Sequence, residues 1–133
     1  MSATRYIPFA GRVLIGLPFA ASGLGKLAAI GPTTEMIRSA GLPLPPAALA
    51  VAIMVELGGG LLLVAGFRAR VVAAVLALFA IATAVSFHAN FADQNQMIHF
   101  LKNVMIAGGL LQIVAFGAGA LSLDNRGAKG GAN

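Results

Sequence analysis

Long apolar runs alternate with short polar breaks along this chain, and four of the runs reach the roughly 20 residues that a helix needs to cross about 30 Å of hydrocarbon. Residues 71–92 and 103–123 contain no Asp, Glu, Lys or Arg. Residues 8–30 and 47–67 are as long but carry charge. Arg12 and Lys26 each lie about one turn from an end of the first run, where long side chains snorkel to the interface. Glu56 lies near the centre of the second.

Local signals set the predicted boundaries. Pro8 suits a first helical turn, Pro18 predicts a kink, and Pro45 with Pro46 marks the start of the second helix. Arg68 and Arg70 precede the third run. Asp93, with Gln96 three residues on, is a capping pair that starts the fourth helix near residue 94. The pattern predicts helices over about 8–30, 47–67, 71–88 and 94–121, with a short interfacial helix over about 33–40. Residues 124–133 are polar and glycine-rich and read as a flexible tail. The expected fold is all-α, a single integral-membrane four-helix bundle over 1–123.

Composition strengthens this reading. Hydrophobic residues make up 59% of the 133, charged residues only 10%, and mean hydropathy is +0.90, far from an ordinary soluble domain. Cysteine is absent, which excludes disulfides, thiolate metal sites and thiol chemistry carried by this chain. The net charge of +5 comes from basic residues scattered singly at the edges of apolar runs. They form no basic cluster interleaved with aromatics, so nucleic acid is not an expected partner. Positive charge at the ends of spans acts instead as topology information. Arg5, Arg12, Arg68, Arg70, Arg126 and Lys129 fall on one side of a four-span path; Lys26, Arg38 and Lys102 fall on the other. Six against three places both termini in the cytoplasm.

Two stripes predict what faces the interior. Arg12, Gly16, Phe19, Gly23 and Lys26 recur at helical spacing, as do Glu56, Gly59, Leu63, Gly66 and Arg70. Close backbone approach at small residues holds helices together where no hydrophobic drive does, so these faces are the expected seam. Gly108, Gly109 and Gln112 are expected to add a fourth-helix contribution to the same compact interior. Depth then sorts the polar groups. Lys26, His88, Lys102 and Asn103 form an outer rim, with His99 in the outer loop, while Arg12, Arg68, Arg70 and Asp124 cluster at the cytoplasmic side.

Glu56 lies between these layers. A central Asp costs about 2.5–3.5 kcal/mol on insertion scales, and a Glu is of that order unless paired, protonated or wetted. Three roles stay open: a structural pair with Lys26 or Arg12, a protonatable group for transport or redox chemistry, or a neutral hydrogen-bonded acid. His88 and His99, with Asp93 the only nearby carboxylate, supply too few ligands for a metal site and read as rim histidines. Ser22, Thr83 and Ser86 lack the partners of a catalytic triad, and no phosphate-binding glycine loop is present.

Taken in order, these residues resemble the DoxX family of small four-helix membrane proteins. The resemblance rests on Arg12-Val-Leu-Ile-Gly16, Ser22-Gly-Leu-Gly-Lys26, the stretch from Glu56 through Gly66 to Arg70, Phe87-His88, Lys102-Asn103, and the ending from Gly117 to Asp124. The family's ending commonly reads Gly-Pro-Gly where this chain has Gly117-Ala118-Gly119, so the fourth helix is expected to run on without a proline stop. The resemblance implies an inner-membrane protein. Relatives called DoxD are associated with a thiosulfate:quinone oxidoreductase, and some members with oxidative-stress complexes containing soluble redox enzymes. The expected function is therefore a subunit or accessory protein of a membrane redox system, non-catalytic by itself, with a quinone near the seam of Glu56 and Lys26. Its expected partners are the bilayer, a redox enzyme and further copies of the chain. The alternatives are a small proton-coupled exporter using Glu56 and a structural membrane scaffold.

Overall fold

The computed structural model describes residues 2–126; Lys129 and the rest of the predicted tail beyond Arg126 lie outside them. Every regular element among the described residues is helical. Helix α1 spans Ser2–Ala28, α2 is the short Ile30–Ser39, α3 spans Pro45–Ala65, α4 spans Ala69–Phe87 and α5 spans Gln94–Phe116. All but α2 are long and apolar enough to cross a membrane.

The boundaries follow from local chemistry. α1 begins six residues before Pro8 and is not interrupted at Pro8 or Pro18. A proline removes one backbone donor, and the neighbouring bonds carry the helix past it. α3 has Pro45 and Pro46 in its first turn, where no backbone donor is required. Asp93 caps α5 by accepting from the Asn95 amide at 2.9 Å. Gln96 does not complete a capping box, since its Oε1 accepts from the Asn90 amide at 3.2 Å.

The fourth span stops sooner than expected. α5 ends at Phe116 rather than near residue 121, because Gly117 has φ +84 and Gly119 φ +91. Glycine takes backbone angles that strain any L side chain, and the helix cannot continue through them. The chain then folds back under the bundle. Asp124 donates its amide to the Gly66 carbonyl at 3.0 Å, and its carboxylate accepts from the amides of Arg68 and Ala69 at 2.6 and 2.7 Å. Those amides open α4, so Asp124 closes the helix end from a distant part of the chain.

The spans pack mainly as α1 on α3 and α4 on α5, with α3 also lying against α4. Leu63, Leu76 and Leu110 are fully buried where the pairs meet, among Ala73, Ala77 and Ala107. Large apolar side chains such as Leu14, Leu78 and Met105 point outward, as a lipid-facing surface requires. α1 and α3 are in backbone contact. A Cβ on Gly60 would lie 2.5 Å from the Gly16 carbonyl oxygen, and one on Gly23 would lie 2.7 Å from the Leu57 nitrogen. Gly59 instead faces Leu76 on α4. In α5 only Gly109 turns inward, toward Ile15, while Gly108 and Gln112 are exposed and do not join the interior.

Candidate functional site

Within α3, Met54–Gly58 forms a π-helical turn with Glu56 in it. Such single turns carry one extra residue and recur at functional sites. Gly59 and Gly60, three and four residues on, both lie on the Glu56 side of a helix, and it is Gly60 that meets α1 while Gly59 meets Leu76.

Glu56 is buried, only 5% exposed, yet its carboxylate is not isolated. Lys26 Nζ lies 2.6 Å from Oε1, and Ser22 Oγ donates to Oε2 at 2.9 Å. Lys26 also donates to Ser22 Oγ at 3.1 Å, closing a three-membered network across the α1–α3 seam. Ser22 and Lys26 are four residues apart and so share a face of α1. Oε1 has no aligned hydrogen bond, so charge rather than directionality joins it to Lys26. Arg12, the other partner considered for Glu56, is engaged elsewhere.

This network forms one wall of a cavity of about 870 Å³. Apolar groups, among them Phe19, Ile37, Phe79 and Ile106, make up most of the lining. The lining also includes Thr83, Asn103 and His88. Asn103 Nδ2 donates to Thr83 Oγ1 at 2.9 Å and to the Ala80 carbonyl at 3.1 Å, which fixes its amide against α4. An apolar chamber with a few convergent polar groups is the usual form of a small-molecule site.

His88 follows the last residue of α4 and stacks on His99, ring centroids 5.0 Å apart. Burial, and secondarily the neighbouring His99, pushes the His88 pKa below its ordinary value. The unfolded chain therefore takes up this proton more readily than the folded one. Stability is expected to be level above about pH 6.5, to fall as the pH drops below it, and to level again under the folded pKa. Thermal unfolding of the wild type and of His88→Gln between pH 7.5 and 5 tests this: the substitution should flatten the decline, and a parallel decline in both would refute the assignment.

The remaining predicted residues fall outside the chamber. Lys102 is exposed on α5 and does not line the cavity. Arg12 is 1% exposed and donates to four carbonyls: Leu63 at 3.0 Å, Val64 at 2.6 Å, Ala118 at 2.9 Å and Leu121. The first two belong to the last turn of α3, where carbonyls run out of helical partners, although Leu63 also accepts from the Gly66 amide at 3.1 Å. Arg70 donates similarly to the Ala115 and Val114 carbonyls at the end of α5, at 2.9 and 3.3 Å. Arg12, Arg70 and Asp124 thus tie helix ends together and sit apart from the cavity.

The model of the DoxX family matches residues 7–89, from within the first span to just past His88. The chain belongs to the DoxX family. Two relatives are inner-membrane proteins of Escherichia coli (strain K12). YqjF is 36% identical over 113 residues, covering 85% of each chain. YphA is 32% identical and covers 95% of this chain and 100% of its own length. No solved structure matches the chain. For this DoxX protein the matched segment includes Ser22, Lys26, Glu56, Thr83 and His88, whereas Asn103 lies beyond it. Ser22 and Thr83 are the residues that sequence reasoning set aside: each acquires a role only from a partner on another helix.

Proposed function

We propose that this DoxX protein binds a quinone-class molecule in the chamber beside Lys26 and Glu56, and serves as a membrane subunit of a redox system in the inner membrane. The observation that carries the reading is an ion pair at the wall of a largely apolar chamber whose lining also includes Thr83, Asn103 and His88. A quinone offers a flat apolar ring, a lipophilic tail and two carbonyl acceptors. Lys26 is a charged donor on the α1 side, and His88, which carries a ring N–H in either protonation state, is a donor near the end of α4. Glu56 holds the Lys26 side chain in place through their 2.6 Å approach.

The wider reading places both termini in the cytoplasm and a redox enzyme, together with further copies of the chain, as partners in the membrane. An exporter reading fits less well, since the carboxylate that would attract a cationic substrate is already neutralised by Lys26 of the same chain.

Solvent extraction of the natively purified protein, followed by mass spectrometry of the lipophilic extract, tests the proposal. A quinone at near-equimolar ratio is expected from the wild type. Lys26→Met removes a charge-assisted hydrogen bond worth about 1.5 kcal/mol or more, so retention should fall about tenfold. A folded wild type that carries no quinone and gains none when offered one in micelles would overturn it.

A further inference from the structure

A second groove lies at the opposite end of the bundle from His88, between the start of α4 and the end of α5, with a volume of about 510 Å³. Its lining includes Arg68, Arg70, Val71, Phe116, Gly117 and Asp124. The two arginines are exposed, and so, below them on the spans, are Val71 at 61% and Phe116 at 78%. Cations thus rim the groove at the level of the helix ends, and apolar side chains continue from it along the lipid-facing surface.

From this juxtaposition we propose that the groove binds the headgroup of an anionic phospholipid, its phosphate held by Arg68 and Arg70 and its acyl chains lying against Val71 and Phe116. Asp124 does not cancel the attraction in full. Both its oxygens are occupied by the Arg68 and Ala69 amides, at the positive end of α4. Arg70 spends Nη1 on the carbonyls that end α5. Its Nη2 and Nε lie over Gly117, where a Cβ would come within 3.2 and 3.3 Å. The bare glycine lets that edge of the guanidinium approach the backbone closely, and the exposed N–H groups of Arg68 and Arg70 suit phosphate oxygens. Arg68 has a backbone φ of +48, which turns the chain sharply between α3 and α4. A basic pocket between spans at a membrane face has the chemistry of an anionic-headgroup site. This proposal stands apart from the chamber at Glu56 and does not depend on what that chamber binds.

The test uses delipidated full-length protein in neutral detergent. Thermal unfolding is followed during titration with phosphatidylglycerol, phosphatidylcholine of the same acyl chains, or inorganic phosphate. Phosphatidylglycerol should stabilise at lower concentration than phosphatidylcholine. At about 1 kcal/mol per surface arginine, Arg68→Gln should weaken that preference about fivefold, while Lys102→Gln at the other end should leave it unchanged. Equal stabilisation by the two lipids overturns the proposal, as does an unchanged preference in Arg68→Gln. Stabilisation by inorganic phosphate equal to that by phosphatidylglycerol would assign the groove to a free anion and overturn the lipid.

Discussion

Arg12→Met is expected to lower the stability of the folded protein by about 3–5 kcal/mol, the range seen when one member of a buried charged interaction is deleted. Four carbonyls would lose this donor at once, those of Leu63, Val64, Ala118 and Leu121, and of these Leu63 keeps the Gly66 amide at 3.1 Å. Two of them end α3 and the others belong to the segment that follows α5, so the substitution releases the closure of one end of the bundle. Each carbonyl left buried and unsatisfied costs about 1–3 kcal/mol. Some of that loss is offset because a buried guanidinium no longer has to be desolvated. Arg12→Lys should recover only a minor part, because a single ammonium cannot spread its donors as the planar guanidinium does. Equilibrium unfolding in mixed micelles with increasing anionic detergent measures the difference; a change below about 0.5 kcal/mol in Arg12→Met would refute the role. The effect should reach the Glu56 chamber only indirectly, since Arg12 touches none of its polar groups.

The spans themselves were legible because their signal is additive: some 20 apolar residues in a row outweigh any local irregularity. The seam between α1 and α3 was legible for a similar reason, since Gly16, Gly23 and Lys26 share a face in any helix. The partner positions on α3 were less so. Positions three and four residues on from Glu56 share its face, so periodicity alone does not choose between Gly59 and Gly60; packing against α1 selects Gly60. The π-turn at Met54–Gly58 has no simple residue signature either. The fate of the charges divides in the same way. That Glu56 needs a partner follows from its cost in hydrocarbon, and Lys26 was one of two in reach. That Arg12 would be consumed by carbonyls depends on α5 ending at Phe116 and the chain returning beneath it, a path decided by positive φ at Gly117 and Gly119. Gln112, counted with the interior, is polar but exposed, because helix periodicity gives a face and not the direction in which that face is turned.

Gly60→Val is expected to cost about 3 kcal/mol or more, the upper end of what overpacking causes, and to disrupt the chamber as well as the fold. The reason lies in which atoms a new Cβ would meet. They are the Gly16 carbonyl oxygen at 2.5 Å and the Ala20 backbone nitrogen at 2.7 Å, and neither can rotate aside. α1 and α3 would have to separate. Lys26 and Glu56 sit on those same two helices, and their 2.6 Å approach spans the gap that would widen. The ion pair would lengthen or admit water, and quinone retention should fall with it if the chamber binds as proposed. Two other glycines calibrate the effect. A Cβ on Gly59 would meet a Leu76 methyl at 3.1 Å, the end of a flexible side chain, so Gly59→Ala should cost less than Gly60→Val. A Cβ on Gly108 meets nothing within 4 Å, and Gly108→Val on the lipid-facing side should stay within about 0.5 kcal/mol of the wild type. Unfolding midpoints for the three variants should therefore fall in the order Gly108→Val, Gly59→Ala, Gly60→Val. A Gly60→Val protein as stable as Gly108→Val would mean that the two helices can separate without cost, and that the seam does not hold Lys26 against Glu56.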